Sequence, residues 1–331
     1  MDPVTYFPHL ESVLDIVEAN TEPGRLRDTL LRHWYRGKIL KRLDAGRVAR
    51  YPDEYLQRFL DVVTPIVQQR FGPGVDDGLP FPLRVRSALL RTDRRDDLLR
   101  FAQFEADLEC RAEVASANWT RTGKLELTVR FRVVRDGEDA LVFERPGTQA
   151  SPATGAATKG ARPAVWMPPE PLGRELLPPE VLDASRDLGR DRVDLLLRDE
   201  ASGAQRRIAG RVPQSATRAT LTLDPLRIFS RRDSASGGQL MARIRHAGWT
   251  FETALRADQA TLGSMSRSPL LAGRRLELVR RSDGTVELRR DGRDRSLRDT
   301  VARATRRAGR LARRVIQRVR RPLQRGTSNT R

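Results

Sequence analysis

The sequence predicts an α+β chain of several parts: an α-helical unit, then one or two antiparallel β-sandwich modules, then a basic amphipathic helix. Three observations carry that expectation. Apolar residues recur at helical spacing through the first hundred residues, with no strand pattern among them. At Leu125 the pattern switches to strict alternation of apolar and polar residues. Residues 301–331 contain eleven arginines and no acidic residue, so this short stretch holds eleven of the nineteen net positive charges.

The elements follow in order. Leu10, Val13, Leu14 and Val17 mark a helix over His9 to Ala19, ended by Thr21-Glu22-Pro23-Gly24. A second runs from Arg25 to Leu43 as one continuous helix, with Leu26, Leu30, Leu31, Trp34, Ile39, Leu40 and Leu43 on a wide apolar face. A third starts at Pro52-Asp53 and stops at Gly72-Pro73-Gly74. Shorter helices cover Leu83 to Arg91 and Arg95 to Ala106. Strands follow at Leu108 to Trp119, Leu125 to Val133 and Ala140 to Phe143, the last reached through an Asp136-Gly137 turn. Pro146 to Pro163 is too poor in large apolar residues to pack a core. Further strands are expected at Val193 to Leu197, Arg206 to Ile208, Thr217 to Leu223, Leu240 to Arg245 and Trp249 to Leu255. A last hairpin joins Arg275–Val279 to Thr285–Arg289 through Ser282-Asp283-Gly284. The expected division is a helical segment at 1–105, a β module at 106–212, its continuation or a second module at 213–291, and a basic tail at 292–331.

Composition removes several classes of function. One cysteine, Cys110, excludes an internal disulfide, and histidines at 9, 33 and 246 have no metal-ligand spacing. No apolar run is long enough to span a bilayer, and the first residues lack the pattern of a signal peptide. The expected address is the cytoplasm, or its membrane face. Asp76-Asp77 and Asp96-Asp97 read as turn and helix-start residues. No phosphate loop, zinc motif, nucleophile elbow or acidic metal-binding pair with an active-site context is present, so no catalytic centre can be assembled. Arginine outnumbers lysine 58 to four. A GC-rich genome accounts for part of that bias, so clusters inform more than totals.

Two clusters stand out. Between Arg32 and Arg42, five cations, His33 and two aromatics fall within three helical turns. Arg32, Tyr35 and Arg36 can share one face, and Trp34, Lys38 and Lys41 another. Guanidinium forks beside an indole or phenol plane suit phosphates linked to sugars; the competing reading is a core tryptophan beneath a solvated surface. In the tail, Leu297, Val301, Ala304, Ala308, Leu311 and Val315 trace a narrow stripe among arginines. Arg306, Arg307, Arg310, Arg313, Arg314 and Arg318 are the candidates there for an anionic surface, a polyanion or an acidic partner.

The stretch from Tyr6 to Arg27, running into His33-Trp34-Tyr35-Arg36-Gly37-Lys38, resembles the segment after the catalytic domain in large actinobacterial family 2 glycosyltransferases. These are similar to the enzymes that decorate wall teichoic acids and related phosphate-bearing polymers. Gly78-Leu79-Pro80, Arg84 to Leu90, Leu223-Asp224-Pro225 and Gly248-Trp249 extend the resemblance over nearly the whole chain. It implies immunoglobulin-like β modules that bind polymer or support a homo-oligomer. It also implies a GT-A catalytic domain, missing from this chain and acting in cis or in trans. That domain would own the divalent metal, so no cofactor is expected here. By the same resemblance Arg32, Arg36 and Lys38 would contact phosphates of an anionic cell-wall polymer, with Trp34 and Tyr35 as aromatic support, and the tail would meet the inner membrane face.

Two other functions compete. A nucleic-acid-binding protein would use the arginine helix as a salt-dependent, sequence-independent footprint, although no aromatic lies between Gly292 and Arg331 to stack on bases. An oligomerisation protein would use Leu297 to Val315 as a coiled-coil seam, which two alanines and flanking like charges make a poor one.

Overall fold

A computed structural model describes residues 2–145, 163–173, 175–200, 202–211, 213, 217–224, 228, 237–263, 268 and 276–290. The expected tail helix and nearly all of the Pro146–Pro163 loop lie outside these residues. Within them the chain is mixed α and β, a helical region followed by a β sheet.

Helix α1 (Pro3–Asn20) begins six residues before the expected start. Pro8 inside it cannot donate to the carbonyl of Val4, but Val4 is exposed, where water can take the place of the missing donor. The continuous helix expected over Arg25 to Leu43 is in fact three pieces: α2 (Arg25–Trp34), a π turn (Tyr35–Ile39) and a 3₁₀ turn (Leu40–Leu43). The cause is readable in the buried residues Leu31, Tyr35, Ile39 and Leu43, which are spaced by four. In a regular α-helix that spacing drifts about 40° per step off the buried side. A wide turn followed by a tight one brings all four back to the core.

Short α3 (Ala45–Val48) is capped by the Asp44 carboxylate, which accepts from the Arg47 amide. Then come α4 (Asp53–Arg70), α5 (Pro73–Asp76), α6 (Phe81–Arg91) and α7 (Arg95–Ala106). Asp96 and Asp97 occupy the first turn of α7, favourable for the helix dipole. Phe7, Phe59, Leu60, Val63, Phe71, Val85 and Phe101 make the helical core.

The alternating segment forms β2 (Leu125–Arg135), antiparallel to β1 (Glu109–Trp119). Directly after Asp136-Gly137 the returning strand is just β3 (Glu138–Asp139), paired with the end of β2. The chain then leaves that sheet, and β4 (Val142–Glu144) pairs instead with β5 (Val165–Met167). The sequence reading missed β5 and the short helices α8 (Pro179–Leu182) and α9 (Ser185–Leu188), which cover the helical core with Trp166, Leu176, Leu182 and Ala184.

The remaining strands follow expectation: β6 (Arg192–Arg198), β7 (Gln205–Arg211), β8 (Arg218–Leu223), β9 (Gly237–His246), β10 (Trp249–Arg256), β11 (Leu276–Arg280) and β12 (Val286–Arg290). They join β1–β3 in one sheet. The run β7-β6-β9-β10-β1-β2-β8 curls until β8 lies beside β7, and β12 and β11 extend from β9. β1 and β10 are parallel neighbours; the other pairings are antiparallel. Strands on both sides of position 213 share one core, with Leu127, Val129, Phe131, Leu195, Leu221, Ile244, Leu255 and Leu288 inside it.

The β9–β10 turn joins this sheet to the helices. Gly248 (φ 88°) packs so closely that an added Cβ would lie 2.9 Å from Pro82 Cδ and 3.0 Å from the Phe81 amide nitrogen. Trp249 enters an aromatic cluster with Phe81 (centroids 5.3 Å apart) and Trp166 (6.0 Å), and donates its indole N–H to Glu105 Oε1 at 3.1 Å. Glu105 Oε2 accepts from Arg86 Nε at 2.9 Å and also from Nη2. Both members of that ion pair are buried, and burial pushes the Glu105 carboxyl upward while Arg86 opposes the shift. On the other side of the turn, Asp191 accepts from the Ala247 amide at 2.8 Å and lies 2.6 Å from His246 Nδ1.

Removing one partner of a buried pair leaves the other charge uncompensated. Glu105→Ala is therefore expected to lower the unfolding free energy by about 3–5 kcal/mol. Arg86→Met with Glu105→Leu should recover most of that loss, both read by urea denaturation. Gly248→Ala should also destabilise, because it combines a strained φ with a clash against α6.

Candidate polyanion-binding site

The π turn divides the Arg32–Arg42 cluster into two groups. Arg32 faces inward: its Nε donates to the Val75 carbonyl at 2.7 Å and its Nη2 to that of Gly74 at 2.8 Å. Gly78 leaves room for it, since a Cβ there would overlap the guanidinium. Arg32 thus ties α2 to α5. Tyr35 is fully buried and stacks on Phe71, with centroids 4.3 Å apart and planes 10° apart. Its hydroxyl donates to Ser87 Oγ (2.8 Å), Ser87 donates to Asp76 Oδ1 (2.7 Å), and Arg91 donates to Asp76 Oδ2 (2.6 Å). Burial pushes both Tyr35 and Asp76 upward.

Arg36 and Lys38 face outward on the same turn, Arg36 exposed and Lys38 half-buried. Lys38 Nζ lies 5.7 Å from the Trp34 ring centroid, and His33 meets the indole edge-on at 5.9 Å. Trp34 is half-buried, packed against the core on one side. Gly37 has open space where a Cβ would be. Among the described residues, no carboxylate pairs with Arg36, Lys38 or the exposed Lys41. The turn therefore presents un-neutralised cations beside an indole, the combination that suits an anion carried on a polyol or sugar. The six tail arginines, Arg306 to Arg318, lie outside the described residues.

Sequence spacing could not reveal the Ser87–Asp76–Arg91 chain that holds Tyr35, because Ser87 and Arg91 lie on α6, Asp76 on α5 and Tyr35 on the π turn. Cys110 is buried in the sheet core, and burial pushes its thiol up to about 12. Among the described residues no three His, Cys, Asp or Glu side chains gather as a metal site, and no helix is long and apolar enough to cross a membrane.

Comparison with known proteins places residues 3–102 in a match to the family described as the glycosyl transferase TarS linker domain. The crystal structure of S. aureus TarS aligns over 88% of this chain and 49% of its own length, at 9% identity and a TM-score of 0.31. That of S. aureus TarS 217-571 aligns over 87% and 76%, at 10% identity and the same TM-score. The chain spans about half the length of the first of these structures. Likeness at that level of superposition fixes neither fold nor activity. No curated protein matches the chain.

Two consequences of the geometry can be measured. Tyr35→Phe should cost about 1 kcal/mol by removing one buried hydrogen bond, and Arg32→Gln should also destabilise, whereas Arg36→Gln with Lys38→Gln should leave the thermal midpoint unchanged. Cys110 should resist a thiol reagent in the native protein and react fully in denaturant.

Proposed function

We propose that this chain is a non-catalytic region of a glycosyltransferase acting on phosphate-bearing cell-wall polymers of the teichoic acid type. The observation that carries this reading is the family match over residues 3–102, the part that holds Arg36 and Lys38 on the π turn with Trp34 just before it. In this reading Arg36 and Lys38 engage acceptor phosphates, Trp34 offers its indole to the polyol or sugar between them, and Arg32 and Tyr35 hold the turn in place. The GT-A catalytic domain, with its divalent metal and sugar-nucleotide pocket, works beside this region in cis or in trans. Arg306, Arg307, Arg310, Arg313, Arg314 and Arg318 bring the assembly to the anionic inner face of the membrane, and the β region supports polymer binding or a homo-oligomer.

The first test is catalytic. Purified protein incubated with UDP-linked hexoses and a poly(ribitol phosphate) acceptor should transfer no sugar; measurable transfer would mean that an active site has been overlooked. The second concerns the tail. Binding to vesicles containing anionic lipid should exceed binding to duplex DNA at near-physiological salt, and replacing the six tail arginines by glutamine should abolish it. Affinity for DNA far above that for vesicles would favour a nucleic-acid-binding protein instead.

A further inference from the structure

Like charges placed directly opposite each other on neighbouring strands are destabilising. The sheet holds three such arginine pairs by register: Arg111 with Arg132, Arg192 with Arg245, and Arg130 with Arg218. All six side chains point away from the core, since their strand neighbours are the buried residues. In two pairs, repulsion is relieved locally. Glu109 takes both Nε and Nη2 of Arg111, at 3.2 and 3.0 Å, and Asp139 takes Arg132 at 2.9 Å. Asp194 takes Arg192 at 2.8 Å. Arg130 and Arg218 differ: both are exposed, and among the described residues neither has an ion-pair partner.

One carboxylate lies between this pair and Arg256. Glu113 lies opposite Arg130 on one side and Arg256 on the other, yet makes no ion pair with either. A depression of about 200 Å³, lined by Arg111, Glu113, Arg130, Phe131, Arg132 and Val134, opens along this face. Beyond Arg130 and Arg218, Thr128 and Thr220 close the row with a hydroxyl–hydroxyl hydrogen bond of 3.1 Å. Successive same-side rows on a strand are about 6.8 Å apart and adjacent strands about 4.8 Å. The face thus sets the Arg130 and Arg218 guanidinium groups side by side, with Arg256 beyond Glu113, and an external anion would remove the repulsion between the pair.

We infer that the solvent face of the sheet around Arg130 and Arg218, with Arg256 at its margin, is a binding surface for a phosphodiester-linked polyol chain, distinct from the Arg36–Lys38 turn. Guanidinium forks match phosphate oxygens. A nucleic acid fits less well, because among the described residues no exposed aromatic side chain lies on this face to stack on bases. The inference rests on the reading of the chain as a polymer-handling region and gives that polymer a second point of attachment.

The test uses the full chain, so that the basic tail contributes equally to every variant, and a synthetic glycerol-phosphate hexamer as probe. Arg130→Gln with Arg218→Gln should weaken hexamer binding about tenfold. It should also flatten the dependence of log affinity on log salt by about 1.4, two phosphate contacts' worth. Without probe its thermal midpoint should equal or exceed that of the parent, since a repulsive pair has been removed. Arg50→Gln with Arg100→Gln, which deletes two exposed arginines of the helical region, should leave binding unchanged. Unaltered affinity and slope in the sheet-face variant would overturn the inference while leaving the acceptor reading intact. So would a lowered midpoint, which would assign the two arginines to structure, or tighter binding of an oligothymidylate of equal charge at the same residues. If the parent protein does not bind the hexamer at all, the acceptor reading falls too.

Discussion

The two halves of this structure are coupled through one buried ion pair. Arg86 of α6 and Glu105 of α7 neutralise each other beneath the helices, and the remaining oxygen of Glu105 accepts the Trp249 indole from the β9–β10 turn. Deleting either partner leaves a charge in a place that water does not reach. The position of the sheet follows from that constraint, because Trp249 can reach Glu105 only if Gly248 lies against Phe81 and Pro82. Asp191 secures the other side of the same turn. The orientation of the β strands, and of the arginines they carry, is therefore set from within the helical region.

Most of the regular elements were legible in the sequence, and the failures have identifiable physical causes. Alternation located β1, β2 and β6 to β12 because each keeps one side against a single core. It could not say which strands are neighbours: β1 lies beside β10, and β2 beside β8, and neither adjacency leaves a local trace. The helix expected over Arg25 to Leu43 failed because a periodic pattern reports which residues are buried, not how the backbone turns between them. Residues 163–188 were missed because their apolar residues complete the helical core from outside, with strands and helices too short to show a period.

The same distinction governs the candidate site. The sequence singled out the eleven residues from Arg32 to Arg42 but could not separate them by the contacts they make. Arg32 and Tyr35 are committed to carbonyls, a serine and a phenylalanine elsewhere in the helical region, whereas Arg36 is exposed and Lys38 lies half-buried over Trp34. On the sheet, arginine abundance concealed what register makes plain. In a chain with 58 arginines, Arg130 and Arg218 are unremarkable until the pairing of β2 with β8 sets them face to face. Net charge describes the whole chain; only strand register shows where that charge is left uncompensated.

The parallel pairing of β1 with β10 has a consequence for how the protein is made. Residue 112 must find residue 255, and everything between them has to be synthesised first. At ribosomal speeds of about 5–20 residues per second, β1 waits on the order of ten seconds for its neighbour. Until then the β1–β2 hairpin has an open hydrogen-bonding edge, a template for wrong partners. The charged residues that alternate along β1, among them Glu109, Arg111 and Glu113, keep one side of that hairpin hydrophilic throughout the wait. Contacts so distant in sequence fold slowly, and the helical core waits too, since Trp166, Leu182 and Trp249 complete it from the later part of the chain.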